Sequence, residues 1–166
     1  MAIMDVLQST DLFTAFGKRH LEKLAVLCRG MSYKQGAMIF REGDAATELY
    51  LLTDGKVVLE MDVGPVPERP GIPTALEVIS KGGAFGWSAL VEPYVYTLSA
   101  RCLNNCTVLA MKSEMLRKVM ADDTSLGLEL MTRVAKLISL RLSDTRLRLT
   151  SGLGIALLGK ELRAME

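Results

Sequence analysis

Between Met31 and Met111 the chain is cut into short apolar runs rich in Val, Ile, Tyr and Phe. The cuts are turn signals: Lys34-Gln35-Gly36, Glu42-Gly43-Asp44, Thr53-Asp54-Gly55-Lys56, Lys81-Gly82-Gly83 and Asn104-Asn105. Strand-sized pieces punctuated at roughly ten-residue intervals predict an antiparallel sandwich or barrel. Asp54-Gly55, set between Leu49–Thr53 and Val57–Met61, is the strongest hairpin signal. Residues 64–73 hold four of the five prolines. Proline fixes φ and removes a backbone donor, so this stretch is expected to be a stiff exposed loop rather than a central strand.

Helical spacing flanks this region. Residues 9–29 read as two short helices, with N-cap types Ser9, Thr10 and Asp11 ahead of Leu12, Phe13 and Phe16. Leu21, Leu24, Ala25 and Cys28 form one stripe, which Gly30 ends. After Lys112 a short amphipathic piece begins at Ser113-Glu114-Met115-Leu116. Asp122, Asp123 or Thr124 then caps a long helix over about 125–149. Leu128, Met131, Ala135, Ile138, Leu142, Thr145 and Leu149 recur along it at alternating three- and four-residue spacing. A second row runs Leu126, Leu130, Arg133, Leu137, Leu140, Asp144 and Leu147. One row suffices to dock the helix on its own sheets. Two rows predict a second surface, most simply the same helix of another copy, so a homodimer is expected through Leu128, Met131, Ala135, Ile138 and Leu142. The plainer alternative is one wide core-facing stripe. Residues 150–166 form a tail or a short helix around Ile155, Leu158, Leu162 and Met165.

Composition removes whole classes of function. A chain of 166 residues suits one domain with an appendage. A net charge of +1 gives no bulk attraction to nucleic acid or anionic membrane. The single histidine, His20, rules out the usual zinc sites and acid–base triads, and no enzyme is expected. Cys28, Cys102 and Cys106 are too few for a disulfide framework and read as reduced thiols; Cys102 and Cys106 are expected on one face of one strand. No metal, haem, cluster or other cofactor is expected from that set. Charge interrupts every apolar stretch before ~18 residues, and no signal peptide is visible, so a cytoplasmic protein with no membrane contact is expected. The ten Met are read as core filler.

The run Gly36-Ala37-Met38-Ile39-Phe40-Arg41-Glu42-Gly43-Asp44, with Leu49 to Val57 after it, resembles the opening half of the cyclic nucleotide-binding domain family. Gly83-Ala84-Phe85-Gly86-Trp87-Ser88-Ala89-Leu90 is similar to the start of that family's phosphate-binding cassette. The resemblance spans residues 10–149. It implies a mainly β jelly-roll with flanking helices over residues 9–123 and a long C-terminal helix, often a dimer element, over 124–149. It also implies a pocket at Phe85, Gly86, Trp87, Ser88, Ala89, Tyr96 and Thr97.

In the family a Glu after the Phe-Gly pair holds the ribose, and an Arg neutralises the phosphate. Here those positions are Trp87 and Tyr96, with Thr97 as the small hydroxyl residue. Losing the Arg removes a charge-assisted contact, and a buried anion left unpaired costs several kcal/mol. The expectation is a stand-alone regulatory module that does not bind cAMP or cGMP in the ordinary way and signals through its C-terminal helix, with a small-molecule ligand or a partner protein biasing that helix. Three readings of the pocket stay open: Trp87 and Tyr96 fill it and leave a scaffold domain; they adapt it to a planar, less charged ligand; or Arg101 replaces the missing cation. The residues after Leu149 are too few for the winged DNA-reading domain of transcription-regulating relatives, so direct DNA binding is not expected.

Overall fold

Alternation inside one strand divides the core. In Glu48–Asp54, Leu49 and Leu51 pack among helices, while Tyr50 and Leu52 face a second interior. Both faces are therefore buried, which explains why this segment reads as a nearly continuous apolar run. The structure, a computed structural model, describes residues 3–63 and 72–164. Among these, α1 (Ile3–Gln8) and α2 (Lys18–Ala25) precede eight strands. The strands are β1 (Cys28–Tyr33), β2 (Met38–Phe40), β3 (Glu48–Asp54), β4 (Val57–Val63), β5 (Ile72–Ile79), β6 (Ala84–Phe85), β7 (Ser99–Cys102) and β8 (Cys106–Lys112). A 3-10 helix, Trp87–Leu90, sits between β6 and β7; α3 (Ser113–Asp122) and α4 (Thr124–Ala164) close the order.

The strands form two four-stranded antiparallel sheets, ordered β1-β8-β3-β6 and β2-β7-β4-β5. Between them lies an interior that includes Phe40, Tyr50, Leu59, Phe85, Tyr96 and Val108. Helices cover the outer face of the first sheet: Leu7, Phe13, Leu21 and Leu24 from the N-terminal part and Leu126, Leu130 and Val134 from α4 meet Leu49, Leu51, Leu109 and Met111. The fold is the mainly β jelly-roll with flanking helices that the resemblance implies.

Several local expectations change. The first helix is Ile3–Gln8; Ser9 and Thr10 follow it, and the Thr10 hydroxyl donates back to the Leu7 carbonyl at 2.7 Å rather than capping a new helix. α2 stops at Ala25, so Cys28 and Gly30 belong to β1, opposite Met111 and Leu109. The Asp54-Gly55 turn is not a hairpin, because β3 and β4 lie in different sheets and each pairs elsewhere. It is a corner between sheets, and it needs glycine: Gly55 has φ +92°, and a Cβ there would sit 2.4 Å from the Asn105 carbonyl oxygen. Cys102 and Cys106 do not share a strand; one ends β7 and the other begins β8. The expected proline loop is shorter than drawn. β5 already contains Ile72 and Pro73, and Pro73 lies opposite Asp62 on an edge strand, where a missing donor is tolerated. Residues 64–71 of that loop lie outside the described residues.

Asp123 turns out to be the cap of α4: its carboxylate accepts the Leu126 N–H at 3.1 Å and a Lys23 hydrogen bond from α2. The Lys23 bond, chiefly, holds the Asp123 carboxyl down at about 2. His20 Nδ1 and Glu129 Oε2, 2.8 Å apart, join the same two helices. α4 then runs unbroken through Ser151–Gly154 to Ala164, past the expected end at Leu149. Interior glycines cost only about 1 kcal/mol each relative to alanine, which a long helix absorbs. The stripe expected at Ile155, Leu158, Leu162 and Met165 lies outside the described side chains.

Candidate functional site

β6 delivers Phe85 into the interior, and Gly86 then turns the chain into the 3-10 helix. Gly86 adopts φ +76°, and a Cβ there would meet the Glu48 carbonyl oxygen at 3.0 Å and the Tyr50 ring at 3.1 Å. Only glycine lets the cassette lie this close to β3. Four rings occupy the space beneath it. Tyr96 and Phe40 stack with centroids 3.7 Å apart and an interplanar angle of 10°. Phe40 is 5.7 Å from Tyr50, and Tyr50 is 5.2 Å from Phe85. The Tyr96 hydroxyl donates to the Glu48 carbonyl at 2.9 Å and accepts the Glu48 N–H at 3.2 Å. The Tyr50 hydroxyl donates to the Glu48 carboxylate at 2.9 Å, whose other oxygen takes Arg29 at 2.7 Å. Burial, above all, pushes both phenols up. They stay neutral donors, and the stack is anchored at its polar ends as buried tyrosines require.

What remains open at this place is a cavity of about 30 Å³, lined by Gly86, Trp87, Ser88, Tyr96 and Thr97 of the sequence candidates and by Phe40, Leu59 and Leu98. That is space on the scale of single waters, against roughly 300 Å³ or more for a small-molecule site. The other two candidates, Phe85 and Ala89, are fully buried in the same interior and do not line the cavity. Trp87 is half-buried and leans on the helical core, so Tyr96, partnered by Phe40, fills the interior rather than Trp87 with Tyr96. Thr97 is exposed. Arg101 alternates with buried Ala100 and Cys102 and so stands on the outer face of β7. There it holds Glu60 with two bonds, at 2.9 and 2.7 Å, and keeps that carboxyl below its usual range.

Side chains distant in sequence fix the cassette. The Ala84 N–H donates to Asp11 at 3.2 Å, and Arg141 of α4 donates to the Ala84 carbonyl. Arg117 of α3 donates to the Ala89 carbonyl at 2.9 Å and covers the Tyr94 ring at 4.3 Å. Sequence reasoning missed Phe40, Tyr50, Arg117 and Arg141 as site residues. Phe40 lies inside the Gly36–Asp44 run that carries the resemblance; the arginines carry no local signal, because their partners lie 28 and 57 positions away.

On α4, Leu126, Leu130 and Val134 face the core, while Leu128 is 73% and Leu142 47% exposed, and Ala135 is exposed too. Met131 and Ile138 are partly buried against the core edge. Three of the five expected seam positions, Leu128, Ala135 and Leu142, thus stand in solvent beside the docked face, and the other two belong to its edge. Leu140 and Leu147 of the other row are also exposed. Cys102 and Cys106 are buried, and burial pushes the Cys102 thiol up to about 12. A thiol this hard to ionise is inert. A thiol-reactive dye added to the native protein at pH 8 is expected to leave both unmodified and to label them once urea unfolds the chain; rapid native labelling of either would contradict their burial. Among the described residues no helix is long and apolar enough to cross a membrane.

Comparison with known proteins agrees with this geometry. The model of the cyclic nucleotide-binding domain family matches residues 31–123. A Geobacter metallireducens GS-15 protein, provisionally named for cyclic nucleotide binding, is 28% identical with a TM-score of 0.74, covering 86% of this chain and 99% of its own. The N-terminal domain of a transcriptional regulator from Streptomyces coelicolor A3(2) is 25% identical with a TM-score of 0.66, over 81% and 93%. A cyclic nucleotide-binding domain from Methylobacillus flagellatus KT shares the fold at 17% identity and a TM-score of 0.74, over 90% and 81%. No functionally curated protein matches. With a sandwich of this topology, a glycine-turned cassette and a family match across more than half its length, the chain belongs to the cyclic nucleotide-binding domain family.

Proposed function

We propose that this chain is a regulatory module whose nucleotide site is filled by its own side chains, and that it acts through α4 as a homodimer rather than through bound cAMP or cGMP. One observation carries the reading: Tyr96 lies on Phe40 at 3.7 Å and leaves about 30 Å³ beside the cassette. The charge pattern supports it, because Tyr96 stands where a phosphate-pairing arginine is expected and Arg101 is engaged by Glu60 on the outer face. The exposed Leu128–Ala135–Leu142 row supports self-pairing, since with half-buried Met131 and Ile138 between its members it keeps the alternating three- and four-residue spacing that a second copy of the same helix fits. The regulator domain named above supports a regulatory, non-catalytic role. Two cations of α4, Arg141 and Arg148, are turned to the sheets, which argues against a direct DNA contact. Three free thiols suit the cytoplasm.

The test is a thermal-shift titration with cAMP and cGMP. A ligand at 100 times its Kd stabilises a fold by about 2.7 kcal/mol, which raises Tm by about 5 °C or more at this size. No shift is expected with either nucleotide up to millimolar concentration. A saturable rise in Tm with either one overturns the filled-site reading.

A further inference from the structure

We infer that Arg141 is the positioning residue through which the aromatic interior sets the placement of α4. For its consequence at the dimer seam, the inference rests on the reading above. β6 is the edge strand of one sheet and β5 the edge strand of the other. Edge strands expose unpaired backbone groups. Here a single guanidinium serves both edges: Arg141 donates to the Ala84 carbonyl of β6, and its Nε lies 3.1 Å from Glu77 Oε1 of β5. Its side chain is only 16% exposed. Arg148, two helical turns on, repeats the contact at the Leu76 carbonyl at 2.6 Å. Asp11 holds the other side of Ala84, so both of that residue's backbone groups are fixed from outside its sheet.

The connection to the interior is one peptide long. Ala84 precedes Phe85, whose ring stacks on Tyr50 and approaches Phe40 at 6.1 Å. On the helix side, Arg141 adjoins Leu142 and lies one turn from Ile138. A shift of the rings moves the Ala84 carbonyl, and a planar fork that must satisfy two acceptors at once follows it or lets go. The chain of contact runs Phe40–Tyr50–Phe85–Ala84–Arg141–Leu142.

Hydrogen exchange of the full chain measures it. Arg141→Gln is expected to speed exchange over residues 84–90 by about fivefold or more, and Phe85→Leu to do the same over residues 136–144, with β8 unchanged in both. The double variant should exceed neither single in either window, and Arg141→Lys should fall between wild type and Arg141→Gln because a point charge cannot reproduce the fork. Phe40→Leu replaces Phe85→Leu if that protein does not fold. Acceleration confined to the substituted element, additive effects in the double variant, or equal acceleration in β8 each overturns the inference. Sedimentation reads the seam separately: Arg141→Gln should weaken the dimer about fivefold. A wild-type chain that stays monomeric overturns the dimer reading, and exchange still decides the role of Arg141.

Discussion

Phe40→Ala is expected to destabilise the fold by about 3–5 kcal/mol, the cost of emptying a buried aromatic site. The ring sits at the centre of the stack, with Tyr96 on one side and Tyr50 and Phe85 on the other, so the hole cannot close by the movement of one neighbour. Part of the loss is the transfer of the ring to water; the rest is a cavity that joins the existing 30 Å³ space. Dry apolar cavities of about 150 Å³ take up benzene. Millimolar benzene should therefore raise the Tm of Phe40→Ala by several degrees and leave the wild-type Tm unchanged. Denaturant unfolding checks the cost and the thermal scan checks the rescue. A loss below 1 kcal/mol, or a folded variant indifferent to benzene, would show that Phe40 does not hold the pocket volume. The same variant separates volume from charge as the barrier to nucleotide. It is expected to remain silent to cAMP, because opening space supplies no cation: Arg101 still faces Glu60 outside the barrel. Binding of cAMP by Phe40→Ala would make the ring the whole barrier.

The positions of the strands were legible because turn chemistry is local. Gly36, Gly43, Gly55 and Gly82 all take positive φ, and each lies within a predicted interruption; Gly86, also at positive φ, was visible only through the cassette motif. Which strand pairs with which was not legible. β1 pairs with β8, joining Cys28 to Met111, and a local pattern contains no term for a ladder closed over such a distance. That is why Asp54-Gly55 reads as a hairpin although it turns a corner between sheets. The candidate site divides in the same way. Tyr96 and Trp87 were visible as departures from a motif, yet only the packing shows that Tyr96 pairs with Phe40 while Trp87 leans on the helices. The long helix was legible as two rows. Their assignment to core and solvent was not, because spacing fixes the angle between rows and not which row meets the sheets.

Leu128→Asp together with Leu142→Asp is expected to abolish the dimer, weakening self-association by at least about 100-fold, or about 2.7 kcal/mol. Both side chains stand in solvent in the single chain, so their replacement removes little from its own core. In a paired helix each leucine would leave water, at about 0.8 kcal/mol per buried CH₂, and each aspartate would instead carry a charge into an apolar seam opposite its own copy. Ile138 is a poorer place for this test, because it also packs against the core and its loss would unfold as well as dissociate. The control is Leu140→Asp with Leu147→Asp. Leu140 is two residues from Leu142, hence about 200° away around the helix, on the far side of the docked face. Sedimentation equilibrium of the two double variants, with unfolding curves to show an intact fold, separates three arrangements. Loss of the dimer only in the Leu128/Leu142 variant is the expected result. Loss only in the Leu140/Leu147 variant would move the interface to the other row. A dimer untouched by both would mean that α4 does not pair through either exposed row.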